Sequence, residues 1–315
     1  MKIGLISNPL SRANRKNGGV AAQVTPSAEI CVSQPHDHIQ LVDDLKRFAQ
    51  DEVELIVIDG GDGTVRDVVS NIHHGYHGAW PLFAILPSGK TNVIAGEVGH
   101  FTAGYAGWLR LVEQRKTGRL GHTEKRYAAL EISWPTQNVP MQRGFLMGFA
   151  AFADGKRIAE EKLHPKGIAK GLAVAIALGS VLFRNLMPGL SKDKGSGEVG
   201  SVEVDGAKLE VERHFLVMAS TLNQLTLGMR PFWEQGSGQI NWLDISAPPK
   251  RLLSGLLLLA RGQRRTWMEK GGYSSGRANG LGVKFDAPFV LDGELYETHG
   301  HVHVTQSQFI RFVGE

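Results

Sequence analysis

The chain has 315 residues, 42% of them hydrophobic, with 35 basic against 31 acidic side chains and a net charge of +4. That length suits two domains or one large one, and so apolar a composition excludes an intrinsically disordered chain. A single cysteine, Cys31, excludes disulfides and thiolate metal clusters within the chain, and the longest apolar segments, 172–183 and 252–260, fall short of the roughly 20 residues of a membrane span.

Met1 opens directly onto an apolar run with no basic leader before it, so no signal peptide is expected; the expectation is a cytoplasmic protein, with peripheral contact at the inner membrane left open. In the first third, strand and helix signals alternate. Residues 2–7 form an apolar run that stops at Asn8-Pro9, and 28–33 are a second strand candidate. Apolar positions over 41–48 repeat at helical spacing. Residues 53–58 are almost wholly apolar and β-branched, as in a strand buried on both faces, and they end in Asp59-Gly60-Gly61-Asp62-Gly63-Thr64. Val65, Val68, Val69 and Ile72 then make one helical stripe, and 82–86 read as another buried strand ending at Pro87. This order predicts a parallel α/β sheet whose right-handed crossovers bring the loops at Asn8, Gly60 and Pro87 to one edge.

From about Tyr127 the pattern changes. Period-two stretches at 128–134, 199–204, 208–211, 215–219, 282–285 and 302–305, with Gly and Asp turns between them, predict antiparallel sheet. Residues 157–163 and 171–183 read as helices, and the polar, Gly-rich 191–200 as a mobile loop. A domain boundary is expected near Gly121.

The sharpest signal is Gly60-Gly61-Asp62-Gly63-Thr64, set between a buried strand and an amphipathic helix. Glycines let backbone approach phosphates, and the helix start offers free amides and the positive end of its dipole. Asp62 could hold a magnesium ion and Thr64 could cap the helix or touch a phosphate oxygen. A plain tight turn explains such a loop about as well when it is taken alone. Neither the Walker pattern nor the dinucleotide fingerprint Gly-x-Gly-x-x-Gly is present.

Strand, Gly-Gly-Asp-Gly-Thr, helix resembles the diacylglycerol kinase catalytic family, shared by bacterial lipid kinases, sphingosine kinases and ceramide kinases, with a related loop in NAD kinases. Asn8-Pro9-Leu10-Ser11-Arg12 is similar to the family's first loop, Leu86-Pro87-Ser88-Gly89-Lys90-Thr91-Asn92 to its Pro-x-Gly-Thr-x-Asn loop, and Leu291-Asp292-Gly293-Glu294 to its late Leu-Asp-Gly-Glu motif. Four motifs in order cover almost the whole chain, and the last favours the lipid kinase branch. The resemblance implies α/β plus β: a three-layer α/β nucleotide-binding domain over 1–121, with 306–315 packing back on it, and an antiparallel β-sandwich lipid-substrate domain over 122–305, the active site lying between them. It implies ATP and Mg²⁺ as cofactors. Asn8, Pro9, Ser11, Arg12, Gly60, Gly61, Asp62, Gly63, Thr64, Arg66, Asp67, Gly89, Lys90, Thr91 and Asn92 would surround the nucleotide, with Asp62 near magnesium through Mg-ATP. Asp292 and Glu294 would supply the general base that an alcohol needs as it attacks the γ-phosphorus. Two residues apart, they would share a face of an extended strand. Taken alone, Asp292-Gly293 reads as a hairpin turn.

Several positions depart from the family. Lys90 stands for its Thr, Val93 for an acidic residue, Arg66 for an Asn and Arg12 for a Gly. In Gly236-Ser237-Gly238-Gln239-Ile240-Asn241-Trp242-Leu243-Asp244, Ser237 replaces a metal-linked Asp of several Gram-positive relatives, so that ancillary metal site is expected to be absent or weakened, and Asp244 to be structural.

The histidines carry less. His73 and His77 could share a helix face and bind zinc, but a helix C-terminus explains them more cheaply. His299, His301 and His303 alternate, as on one solvated face of a strand. Residues 251–265 read as a buried leucine-rich helix with a basic end, with docking on an anionic membrane as the alternative. No basic blocks are present, so nucleic acid is not an expected partner. The function expected is an ATP-dependent lipid kinase acting on a free hydroxyl of diacylglycerol, ceramide or a sphingoid base. A kinase of a nicotinamide nucleotide, or a non-catalytic nucleotide- or lipid-binding relative, are the alternatives, and self-association stays open.

Overall fold

The computed structural model describes residues 1–16, 18–153, 197–225 and 228–315. The two helices expected at 157–163 and 171–183 lie outside the described residues, as does most of the loop at 191–200; Glu198–Gly200 open a strand. The chain divides into two compact units, Met1–Ala129 with Gln308–Glu315, and Leu130–Ser307.

The first unit is mixed α/β. Its elements are β1 (Lys2–Ser7), β2 (Ile30–Ser33), α1 (His38–Gln50), β3 (Val53–Gly60), α2 (Asp62–Asn71), β4 (Leu82–Pro87), α3 (Val93–Val98), α4 (Tyr105–Lys116), β5 (Lys125–Tyr127) and, from the other end of the chain, β18 (Ile310–Val313). The sheet runs β2-β1-β3-β4-β18-β5, parallel except for β5. Its central strands β1, β3 and β4 are buried on both faces, which is why they read as continuous apolar runs. On one face Ile3, Leu5, Leu55, Val57, Ala84 and Leu86 join Trp108 and Leu111 of α4. On the other, Phe48 of α1 lies so close over Gly4 that a Cβ there would sit 2.5 Å from the ring. Asp37 caps α1 by accepting from the Gln40 amide at 2.8 Å, and Leu41, Leu45 and Phe48 form its buried stripe.

Register then sets the loops. Ser7 pairs with Asp59, Asp59 with Leu86 and Gly60 with Pro87, so β1, β3 and β4 end level with one another. Their outgoing loops meet at the carboxyl edge of the parallel strands, where open α/β sheets bind ligands.

The second unit holds β6 (Leu130–Ser133), β7 (Gln142–Gly144), β8 (Leu146–Ala150), β9 (Glu198–Val204), β10 (Ala207–Lys208), β11 (Arg213–Ser220), β12 (Ile240–Ser246), α5 (Leu252–Ala260), α6 (Thr266–Lys270), β13 (Tyr273–Ala278), β14 (Leu281–Phe285), β15 (Phe289–Leu291), β16 (Glu294–Tyr296) and β17 (Val302–Gln306). The antiparallel pairing is as expected, but a sandwich of two separate sheets is not what forms. Among the described residues twelve strands hydrogen-bond as one sheet along the path β16-β15-β8-β11-β9-β14-β17-β6-β7, with β10, β12 and β13 attached to it. The physical link is β9. Its first residues pair with β11, and from Gly200 onward it pairs with β14. The sheet curls: near its two ends, Phe289 and Trp134 come within 6.1 Å between ring centroids and share one core with Phe149, Phe285, Val217 and Val304. His303 is the only one of the three late histidines within a strand; it is exposed between buried Val302 and Val304.

Candidate functional site

In the first unit the three loops nominated by sequence are joined by hydrogen bonds. The Asn8 amide donates to Asp59 O at 2.9 Å, Ser88 N to Gly60 O at 2.9 Å and Ala13 N to Ser88 O at 3.0 Å. Asn8 Nδ2 donates to Thr64 Oγ1 at 3.0 Å, while Asn8 Oδ1 accepts from Leu10 N at 2.9 Å and shapes the Asn8-Pro9-Leu10 turn. Ser11 is buried and Arg12 exposed on the same loop.

Beneath them sits Asp59, a residue that the sequence reading treated only as part of a turn. It has no exposed surface. Its carboxylate accepts from Ser7 Oγ at 2.6 Å, from Val20 N at 2.8 Å and from Ser88 Oγ. One buried charge thus ties the ends of β1 and β4 and the backbone at Val20 to the end of β3. The signal was available: an Asp near the end of an almost wholly apolar strand needs several donors if it is to be buried.

Asp62 is placed differently from expectation. Its Oδ2 accepts from Thr91 Oγ1 at 2.9 Å and Val93 N at 3.1 Å, and its Oδ1 from Ile94 N at 3.0 Å. The carboxylate therefore satisfies the amino end of α3, so any magnesium contact falls to lone pairs these three donors leave over. Among the described residues no group of three or more His, Cys, Asp or Glu side chains is arranged to hold a metal ion. A magnesium ion here would depend on the phosphates that accompany it, as is usual for that ion.

The glycines fit a nucleotide's phosphates better. A Cβ on Gly89 would lie 2.6 Å from Gly61 Cα, and one on Gly61 2.9 Å from Gly89 Cα, so these two loops touch through bare backbone. Asn92, in the left-handed region at φ 50°, accepts from Gly89 N at 3.0 Å and closes the second loop. Gly63 differs from both. A Cβ there would meet nothing nearer than an Arg66 guanidinium nitrogen at 3.8 Å, and its φ is not positive. Neither packing nor conformation demands glycine at 63, which suits a position approached by a ligand at the start of α2. Gly61, the N-cap of α2, brings no side chain to the first-turn amides. Arg66 is buried and its guanidinium engages Asp67 Oδ1 at 2.7 Å, while Lys90 and Thr91 are exposed.

In the second unit Asp292 and Glu294 do not lie along one extended strand. Leu291 pairs with Glu294 across a two-residue turn in which Asp292 has φ 44° and Gly293 φ 88°. Positive φ at both central residues is the type I′ hairpin geometry. Asp292 folds back on β8: its Oδ1 and Oδ2 accept from Phe145 N at 3.1 and 2.9 Å, and Oδ1 from Leu146 N at 2.9 Å. The Phe145 and Leu146 amides that aim this carboxylate carry no side-chain signal in the sequence. Glu294 is exposed on the next residue but one. Further along, Ser237 is exposed in its loop, while Asp244 is buried against His214, with 2.6 Å between Oδ1 and Nδ1. Burial pushes the Asp244 carboxyl above the usual carboxylate range, against the opposing pull of His214.

Residues 2–121 match the diacylglycerol kinase catalytic domain family. No curated protein matches the chain. Among solved structures, two assigned as diacylglycerol kinases of Bacillus anthracis str. Sterne are similar to it. One has 15% identity and a TM-score of 0.68 over 99% of this chain and 96% of its own, the other 17% and 0.64 over 100% and 97%. A third from the same organism, named as a diacylglycerol kinase, shows 14% identity and a TM-score of 0.59 over 99% and 96%. At such identities the structures speak for the fold, and the match over residues 2–121 speaks for the family. Residues 2–121 thus match the diacylglycerol kinase catalytic domain family, and the whole chain shares the fold of these structures.

Proposed function

We propose that this protein is an ATP-dependent lipid kinase that transfers a γ-phosphoryl group to a free hydroxyl of a diacylglycerol, ceramide or sphingoid-base type of lipid. The observation that carries the reading is the bare-backbone cradle made by Gly61, Gly63 and Gly89 at the start of α2, braced from below by buried Asp59. Amides at a helix start favour bound phosphate, and close backbone approach removes side chains from its path. Bound ATP with magnesium supplies the phosphoryl group. The chain's own contribution is to fix the phosphates through α2 and the Ser88–Asn92 loop, and to keep those loops in register through Asp59 and Asp62. Asp292 takes the proton of the acceptor hydroxyl, its direction set by the Phe145 and Leu146 amides, with Glu294 as a second carboxylate across the same turn. Proton transfer that comes late in a loose transition state asks for little basicity in the accepting group.

The test is transfer of label from γ-labelled ATP with Mg²⁺ into diacylglycerol, ceramide and sphingosine in mixed micelles, with NAD as a non-lipid acceptor beside them. Label in a lipid and none in NAD is expected. Label in NAD alone would replace the reading with a nicotinamide nucleotide kinase, and none in any acceptor despite ATP binding would point to a non-catalytic relative.

A further inference from the structure

The helix α5 has two faces of different fate. Gly255, Leu256 and Leu259 are buried, and Gly255 lies so close to the Tyr273 hydroxyl that a side chain there would collide with it. The expectation of a buried helix holds for this face alone. On the opposite face Leu253 and Leu257, one helical turn apart, are 52% and 59% exposed, and Arg261 continues the same line after one more turn. Tyr273, its hydroxyl donating to Lys250 O at 2.9 Å, fixes which face looks outward.

Charge surrounds these leucines unevenly. Residues 250–270 contain Lys250, Arg251, Arg261, Arg264, Arg265 and Lys270 against Glu269 alone, a net of +5 where the whole chain carries +4. All six cations are exposed. The one carboxylate is taken by Arg264, and among the described residues Lys250, Arg261, Arg265 and Lys270 have no ion-pair partner. Arg251 stacks over Trp267 at 5.4 Å and Arg264 over Trp233 at 5.3 Å. Outward leucines rimmed by arginine and lysine are the composition of a helix that lies in the headgroup boundary of a bilayer. A second copy of this chain fits poorly, because a two-fold contact would set the basic rim against itself.

We infer that the exposed face of α5, with its basic flanks, is the surface by which this protein docks on an anionic lipid bilayer. Leu253 and Leu257 enter the headgroup–acyl boundary while Arg261, Arg265 and Lys250 face lipid phosphates. The inference extends the lipid-kinase reading, since an acceptor held in a membrane has to be met there, but it is tested without nucleotide.

The experiment is flotation of the full chain with vesicles of phosphatidylcholine, alone or with phosphatidylglycerol, in the absence of ATP. Binding to the phosphatidylglycerol vesicles is expected, about tenfold or more above the neutral ones, and falling as salt is raised. Leu253→Ser with Leu257→Ser, and separately Arg261→Glu with Arg265→Glu, should each lower it by about tenfold with the melting temperature unchanged. Equal binding to both vesicles, or binding unmoved by either pair of substitutions, would overturn the inference. A lipid-free dimer in analytical ultracentrifugation that the leucine pair dissolves would overturn it in favour of self-association. Phosphate transfer to a short-chain, water-soluble acceptor separates the two readings. Transfer without vesicle binding leaves the kinase and removes the docking surface; vesicle binding without transfer does the reverse.

Discussion

Three donors converge on the carboxylate of Asp59, and no solvent reaches it. Replacing it by Asn keeps the volume but sets an NH₂ group against a donor and removes the charge. Asp59→Asn should cost about 2 to 3 kcal/mol, read as a lower urea midpoint, because hydrogen bonds to a buried charge are the strong ones. Gly89 and Gly63 should part company under the same change. Gly89→Ala places a Cβ against Gly61 Cα and should destabilise by about 1 to 3 kcal/mol. Gly63→Ala meets open space, so the urea midpoint should hold while ATP affinity, measured by calorimetry, falls about tenfold or more. Asp244 adds a pH dependence. Its folded pKa is raised by burial, so its neutral form contributes stability that is fully present below the unfolded value and is lost as pH rises through the folded one. Asp244→Asn, which mimics the neutral form, should show a urea midpoint that no longer declines over that window; an unchanged decline would assign it to another group.

At the scale of elements, the turn Asp292-Gly293 does two jobs. It closes the β15–β16 hairpin with two residues at positive φ, and it swings a carboxylate onto the amides of Phe145 and Leu146. Hairpin chemistry was legible in the dipeptide, but the carboxylate's partners were not, since any residue supplies a backbone amide. The same contrast runs through the strands. Those at the centre of the first sheet, β1, β3 and β4, are nearly uninterrupted apolar runs and could be read directly. β8, at Leu146–Ala150, is buried along its whole length and contains Gly148, so it shows neither alternation nor a β-branched run. β12, β13, β15 and β16 escaped for related reasons, being short, polar in part, or placed next to glycine turns. On β14 and β17, where buried and more exposed residues alternate, the period of two found part or all of each strand.

For the whole molecule, β18 is the connection that matters most. It lies between β4 and β5, and Ile310, Phe312 and Val313 are fully buried, with Phe312 5.9 Å from the ring of Phe83. The last residues of the chain therefore complete the sheet whose strands β1, β3 and β4 carry the loops proposed to hold phosphate. Phe312→Ala should lower stability by about 3 to 5 kcal/mol and weaken ATP binding without touching the site; a melting curve with unchanged midpoint would contradict that. The parallel order of the first sheet was legible because each crossover leaves a strand–loop–helix signature. The single curled sheet of the second unit was not. Whether antiparallel strands form one sheet or two depends on where a strand such as β9 changes partner, and pairing partners leave no mark in local pattern. The first measurement to make is label transfer from γ-labelled ATP into lipid by the wild type beside Asp292→Asn, a change that tolerates the left-handed turn and removes the base. Labelled lipid with the wild type, and none with a variant that melts at the same temperature, is the predicted result; equal labelling by both would show that Asp292 does not take the proton.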